Sequence, residues 1–321
     1  MGVTGMAVQA CLTMSDPPCR ADSFGEDPSD AVLSIEDRSC VAYCHPQTCV
    51  ICFAKVTVSV IVRNNVHVIG RAGPSMVFAH GFGCDQNMWR HVAPEFSKDF
   101  RVVLFDHVGA GKSDLSAWSP ERYQNLQGYA DDVVEILREL DLGKAIFVGH
   151  SVSAMIGVLA VRAAPDLFSH LVLVGPSPRY IDDGDYVGGF SEEEIKELLE
   201  FLDSNHMGWA ESMAPMIMAN PDKPDLSAEL TNSFCRTDPA IARHFARTTF
   251  MADNRADLKH VAVPTLILQC REDIIAPQSV GAYVHAAMPM SQLVTLDATG
   301  HCPNLSAPEQ TSRAIRKFLS A

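Results

Sequence analysis

No apolar stretch in this sequence reaches the length of a membrane span. The longest, Cys49 to Val62, is broken by Lys55 and falls well short of the roughly 20 residues a spanning helix needs. It lies too far from Met1 to be the core of a signal peptide, and acidic rather than basic residues precede it. A soluble, cytoplasmic protein is expected. Basic residues are also in short supply: 25 Lys and Arg face 39 Asp and Glu, for a net charge of −14. Nucleic acid and anionic membranes both demand a basic face, so neither is expected as a partner. The charge reads as a contribution to solubility. Cysteine becomes sparse after residue 52. Six of the ten (Cys11, Cys19, Cys40, Cys44, Cys49, Cys52) precede that point, leaving Cys84, Cys235, Cys270 and Cys302. Cys84, Cys270 and Cys302 sit in or beside apolar or site-like stretches without paired spacing, which predicts reduced thiols.

The 321 residues, 47% hydrophobic, suffice for one large α/β domain or two ordinary ones. Residues 1–55 differ from the rest. Ser, Asp, Pro and Gly dominate residues 14–30 with no helical or alternating period, which predicts a disordered extension over residues 1–55. In the run Cys40-x3-Cys44-His45-x3-Cys49-x2-Cys52 four soft ligands could close a tetrahedral zinc site. It lacks two clean Cys-x2-Cys knuckles, however. A dispensable extension, such as an upstream start codon would add, is expected instead, with no metal and no cofactor.

Order begins near Val56. Val56–Val62 and Val66–Ile69 read as two strands around Arg63-Asn64-Asn65. Short apolar strands follow at Ser75–Ala79, Arg101–Phe105, Ala145–Val148, Leu171–Val174, Thr265–Leu268 and Leu293–Leu296. A helix over Tyr129–Leu142 carries Val133, Ile136, Leu137 and Leu140 on one face, with Gly143 as its stop. Continuous apolar strands separated by helices imply a mostly parallel sheet covered on both faces. Between Gly175 and Pro264 the strand rhythm gives way to helical patterns at Glu192–Asp203, Trp209–Met218, Ser227–Phe234 and Ala240–Met251. The expected architecture is a core of residues 56–178 and 256–321. A helical lid, residues 179–255, is inserted after the sixth strand, over the carboxyl ends where open α/β sheets bind ligands.

One stretch organises the chemistry. Phe147-Val-Gly-His-Ser151-Val-Ser-Ala154 runs from a β-branched strand through small residues into a long apolar helix pattern. It reads as a nucleophile elbow, G-x-S-x-G, with Ser153 in place of the second glycine. A serine hydroxyl needs a base to take its proton, and the base needs an orienting acid. Asp273 follows the Thr265–Leu268 strand and His301 follows the Leu293–Leu296 strand. The chain order Ser, Asp, His is that of the α/β-hydrolase triad, and all three leave the same edge of the sheet. Two backbone N–H groups should face the oxyanion, from Val152 after the serine and from Phe82 in His80-Gly81-Phe82-Gly83. Gly109-Ala-Gly111-Lys112-Ser113 imitates the end of a phosphate-binding loop, but Asp106 stands where that motif needs glycine. Nucleotide binding is not expected.

With these pieces in place the chain, from about residue 62 onward, resembles the α/β-hydrolases. It is most similar to the group of the bacterial sigma-B stress regulator hydrolases (RsbQ-like) and the plant karrikin and strigolactone receptors. The resemblance rests on Gly81-Phe-Gly-Cys-Asp-Gln86 with Trp89, on Leu104-Phe-Asp106 with Gly109, Gly111 and Ser113-Asp-Leu115, and on Phe147–Val152. It continues through Phe168–Val172, Val174–Pro178, Gly188-Gly-Phe190, Ile267–Cys270, Asp273–Pro277 and Gly300–Pro303. It implies an α/β-hydrolase core, a helical lid and a small closed hydrophobic pocket over the serine, with Phe82, Phe190 and Phe250 as pocket aromatics. It further implies a small hydrophobic ester or lactone as ligand and, in the RsbQ-like case, a signalling phosphatase as partner. Haloalkane and epoxide hydrolysis on this fold use a carboxylate nucleophile, which Ser151 is not. Three departures stand out. Ser153 either crowds the turn or lines the pocket floor. His80, also expected at the pocket, replaces the proline of RsbQ-like members and matches the plant receptors and many esterases. The first 55 residues have no counterpart.

Overall fold

The computed structural model describes residues 30–35, 38–45, 48–52, 58–70 and 73–320. They fall into two units, Met1–Val58 and Ser59–Ala321. In the first, strands β1 (Asp30–Ile35), β2 (Arg38–His45) and β3 (Thr48–Cys52) form an antiparallel sheet, with Val32 opposite Val41 and Ala42 opposite Ile51. Regular structure thus stands in part of the stretch for which composition predicts none. Val32, Val41, Tyr43, Val50 and Ile51 are of the residue types that favour strands. Residues 1–29 lie outside the described residues, as do the side chains of Cys40, Cys44, His45, Cys49 and Cys52.

The second unit is built on a seven-stranded sheet of order β10-β9-β8-β7-β5-β6-β4. Its strands are β4 (His67–Ile69), β5 (Ser75–Ala79), β6 (Arg101–Leu104), β7 (Ala145–His150), β8 (Phe168–Val174), β9 (Thr265–Glu272) and β10 (Ser291–Thr299). The β4–β6 pair is antiparallel and every other pair parallel. Alternate residues feed two apolar cores. Val77, Phe147, Leu171 and Ile267 point to one face; Phe78, Val148, Val172 and Leu268 point to the other. Both faces are therefore covered, as continuous apolar strands require.

Two expectations need correction. The strand read at Val56–Val62 is not present where the chain is described: α1 (Val60–Arg63) is a single helical turn. Ser59 caps it, accepting from Ile61 N, and the Glu139 carboxylate accepts from Val60 N at 3.0 Å. β-Branched residues favour strands by packing, and here cap bonds at the chain's entry override that preference. In consequence the helical insertion follows the fifth strand of the central sheet, not the sixth. Helix α2 (Leu126–Glu139) begins a turn earlier than its apolar period suggests, because Asn125 caps Gln127 N.

Helix α3 (Val152–Ala163) is buried from Val152 to Val161. It lies so close to the sheet that a Cβ on Gly157 would sit 2.6 Å from the Phe147 ring. Four helices separate β8 from β9: α4 (Glu192–Ser204), α5 (His206–Met218), α6 (Pro224–Arg236) and α7 (Pro239–Phe250). The rest of the fold, α8 (Gln278–Ala287), α9 (Pro303–Ser306) and α10 (Pro308–Leu319), packs around β9 and β10.

Candidate active site

Ser151 follows the last residue of β7 and caps α3 with φ 56° and ψ −122°, a conformation that a residue with a side chain rarely adopts. The surroundings impose it. Ser151 N–H donates to Val174 O at 2.8 Å, and Ser151 O accepts from Ala154 N at 2.9 Å. The side chain is thereby held off the sheet's carboxyl edge, where Asp273 and His301 also stand, past the ends of β9 and β10.

His301 Nε2 lies 2.8 Å from Ser151 Oγ, and His301 Nδ1 lies 2.8 Å from Asp273 Oδ2. The carboxylate takes the Nδ1 hydrogen, leaving Nε2 to accept the serine hydroxyl. Asp273 Oδ1 accepts from Ile275 N at 2.9 Å and Ala276 N at 3.0 Å, so the carboxylate cannot swing away. Burial pushes the Asp273 carboxyl up, but His301 and these two N–H donors outweigh it and hold it below its ordinary value. The imidazole is fixed from behind as well. His301 N–H donates to Ile217 O at 2.8 Å, and His301 O accepts from His150 Nε2 at 2.8 Å. Burial first, then the neighbouring His301, lowers His150 to about 3. It is a neutral strut.

The loop after β5 approaches the serine closely. A Cβ on Gly81 would sit 2.6 Å from His150 Nδ1 and 3.4 Å from Ser151 Cβ. The N–H groups of Phe82 and Val152 have no acceptor among the described backbone carbonyls. Over the serine lies a cavity of about 40 Å³, room for only a few waters. Its sheet side is Ser151, His301 and Phe82; its helix side is Trp209, Phe234 and Phe250. The Phe82 ring sits 6.0 Å from each of those three rings.

The structure thus brings Ser151, Asp273, His301, Phe82, Val152 and Phe250 together. His80 and Ser153 do not line the cavity. Both are fully buried beneath it, bonded to each other and to His107. Ser153 neither crowds the turn nor reaches the pocket. Phe190 also stays off the wall, held by its backbone, which accepts from Asp182 N and donates to Tyr180 O. The glycine-rich turn after β6 wraps a carboxylate instead of a phosphate: Asp106 accepts from Lys112 N at 2.9 Å, Gln86 N at 2.9 Å and Asn65 Nδ2 at 2.7 Å.

The family model described as alpha/beta hydrolase family matches residues 76–314. This chain belongs to the α/β-hydrolase family. Among its relatives is a Petunia hybrida protein named karrikin insensitive 2 receptor CA, 41% identical over 251 residues. That match spans 77% of this chain and 92% of the relative. Another is the Arabidopsis thaliana strigolactone esterase D14, 38% identical over 256 residues, 79% of this chain and 96% of the relative. Among solved structures, a hydrolase from Oleispira antarctica superimposes with a TM-score of 0.80 at 41% identity, covering 81% of this chain and 96% of that one.

Several cavity residues of this hydrolase escaped the sequence reading. Tyr180 is buried on the wall, two residues past Pro178; its place just beyond a strand's carboxyl end is a signal that was available. Thr249 shares the wall, and its Oγ1 is buried without a hydrogen-bond partner. Helical period marks Thr249 only as inward-facing, like Phe245. Cys84 and Cys302 also line the cavity as free thiols. Burial, then Asp85 and Glu229, pushes Cys84 up to about 12, so it stays a thiol.

Proposed function

We propose that this α/β-hydrolase cleaves a small hydrophobic ester or lactone through an acyl-enzyme on Ser151. The observation that carries the reading is the Ser151–His301–Asp273 chain with both contacts at 2.8 Å. Ser151 Oγ attacks the carbonyl carbon while His301 Nε2 takes its proton, and Asp273 balances the imidazolium. The carbonyl oxygen, now negative, faces the N–H groups of Phe82 and Val152. Collapse expels the alkoxide, which takes the proton from His301; in a lactone it stays tethered to the acyl group. A water that gives its proton to His301 then hydrolyses the acyl-serine. The apolar cavity supports a hydrophobic substrate. Residues 179–255 act as a lid on the core of 56–178 and 256–321. Ser151→Ala should abolish hydrolysis of p-nitrophenyl acetate, and a fluorophosphonate probe should label the Ser151 peptide alone. Full activity in Ser151→Ala would overturn the reading.

The relatives favour a second reading. A protein 41% identical is named a receptor, and a receptor-like role would use slow hydrolysis to trap a ligand and signal through a partner such as a stress-signalling phosphatase. Stopped-flow measurement with p-nitrophenyl acetate separates the two. Sustained multiple turnover supports the enzyme, whereas one equivalent of nitrophenol followed by a halt supports the receptor. Both readings take the protein to act in the cytoplasm; among the described residues no helix is long and apolar enough to cross a membrane.

A further inference from the structure

We propose that Ser153 and His107 are positioning residues of the oxyanion loop, acting through His80 to aim the Phe82 N–H at the reacting carbonyl. The proposal rests on the hydrolytic reading above and deepens it. Its basis is a closed set of hydrogen bonds among three side chains that are each 0% exposed. Ser153 Oγ donates to His80 O at 2.5 Å and lies 2.7 Å from His107 Nε2. Because the hydroxyl hydrogen goes to His80 O, the second bond requires His107 Nε2–H as donor. His107 Nδ1 has no partner, which fits: a hydrogen there would be buried with no acceptor. The His107 ring cannot turn away, with Phe105 at 5.2 Å, Tyr129 at 5.5 Å and Phe245 at 6.1 Å edge-on around it.

The set closes through the other side of His80. His107 N–H donates to His80 Nε2 at 3.0 Å, which puts the remaining ring hydrogen on Nδ1, 2.9 Å from Gly81 O. Gly81 O also accepts from Cys84 N at 3.3 Å. A trans peptide points its C=O and its N–H in opposite directions. Fixing Gly81 O towards the His80 ring and Cys84 therefore fixes Phe82 N–H on the reverse side, and fixing His80 O by Ser153 locks the preceding peptide plane. Two consecutive planes leading to the oxyanion donor are held by buried side chains. This assigns a use to the serine that replaces the elbow's second glycine. Its hydroxyl ties the elbow helix to the loop that faces it, so nucleophile and oxyanion donor are placed as one unit.

The test uses the full chain. For Ser153→Ala, kcat for p-nitrophenyl acetate should fall about 10- to 100-fold with KM within twofold, short of the 10²–10³ loss when an oxyanion donor is removed outright. Inhibition by 1,1,1-trifluorobutan-2-one, whose serine adduct carries an oxyanion, should weaken by the same factor. Inhibition by 1,1,1-trifluorobutan-2-ol, which forms no adduct, should not change. A merely structural serine would move both inhibition constants together. His107→Phe keeps the aromatic packing and should give a smaller loss with the same ketone-selective signature. The double variant should be no worse than Ser153→Ala, since both act on one carbonyl. If Ser153→Ala does not fold, His107→Phe alone decides, and no ketone-selective loss overturns the proposal. It is likewise overturned if folded Ser153→Ala keeps kcat within twofold of wild type. A wild-type protein that neither turns over p-nitrophenyl acetate nor labels at Ser151 would instead remove the hydrolytic reading.

Discussion

Gly149 and Ser153 meet backbone to backbone across the elbow: a Cβ on Gly149 would lie 2.3 Å from the Ser153 carbonyl oxygen. The first glycine of the motif is thus required by contact, whereas the position of the second accepts a side chain that leaves the turn. Gly149→Ala should destabilise the protein by about 1–3 kcal/mol, the cost of overpacking a filled site, and lower fluorophosphonate labelling at Ser151 by displacing the elbow. Urea denaturation and labelling rates check both; unchanged values in the two assays would contradict this account.

Asp273 dictates which nitrogen of His301 carries the hydrogen, through the 2.8 Å contact to Nδ1. An amide there can donate to Nδ1 and leave the hydrogen on Nε2, facing Ser151 Oγ. Asp273→Asn is therefore expected to lower kcat by about 10⁴ while the fold and ligand affinity persist. Single-turnover kinetics beside a thermal melt would separate chemistry from stability.

Acid should destabilise this protein well above the carboxylate range. Burial holds His80, His107 and His150 below the ordinary histidine value, His150 at about 3. Unfolded histidines titrate near ~6.5. Between that pH and the depressed folded values the unfolded chain binds protons that the native state excludes. Stability is thus full above ~6.5 and falls as pH drops, by up to about 1.4 kcal/mol per pH unit for each proton. Asp273, also depressed in the fold, adds a loss of the same sign below ~3.9. A urea midpoint that stays flat between pH 7 and pH 5 would refute this.

Thr249 differs from two other helical threonines. Thr231 and Thr311 each bond the carbonyl four residues back, at 3.0 Å and 3.1 Å, whereas Thr249 Oγ1 is buried and unpartnered. Thr249→Val exchanges that hydroxyl for a methyl of the same shape. It should raise stability by about 1 kcal/mol, roughly 2–4 °C in Tm. A lower melting temperature would mean that the hydroxyl has a partner after all.

The parts legible in the sequence were those fixed by local pattern. Apolar runs marked the sheet, and strand-end placement put Ser151, Asp273 and His301 at one edge of it, where they meet. Illegible features depended on what arrives from far along the chain. Val60–Arg63 is helical because Glu139 meets its N-terminus. Ser153 is turned from the cavity because His80 O and His107, 73 and 46 residues away, take up its hydroxyl. Phe190 was expected on the pocket wall by resemblance, but its backbone pairing with Tyr180 and Asp182 directs the chain elsewhere.

The cavity above Ser151 is smaller than most molecules it would act on. A substrate larger than that space enters only as the rings of Phe82, Trp209, Phe234 and Phe250 part, three of which stand on helices α5, α6 and α7. Substrates are then sorted twice, first by the work of opening that aromatic seam and only afterwards by the reactivity of their carbonyl. A bulky ester would then turn over more slowly than the reactivity of its carbonyl alone allows.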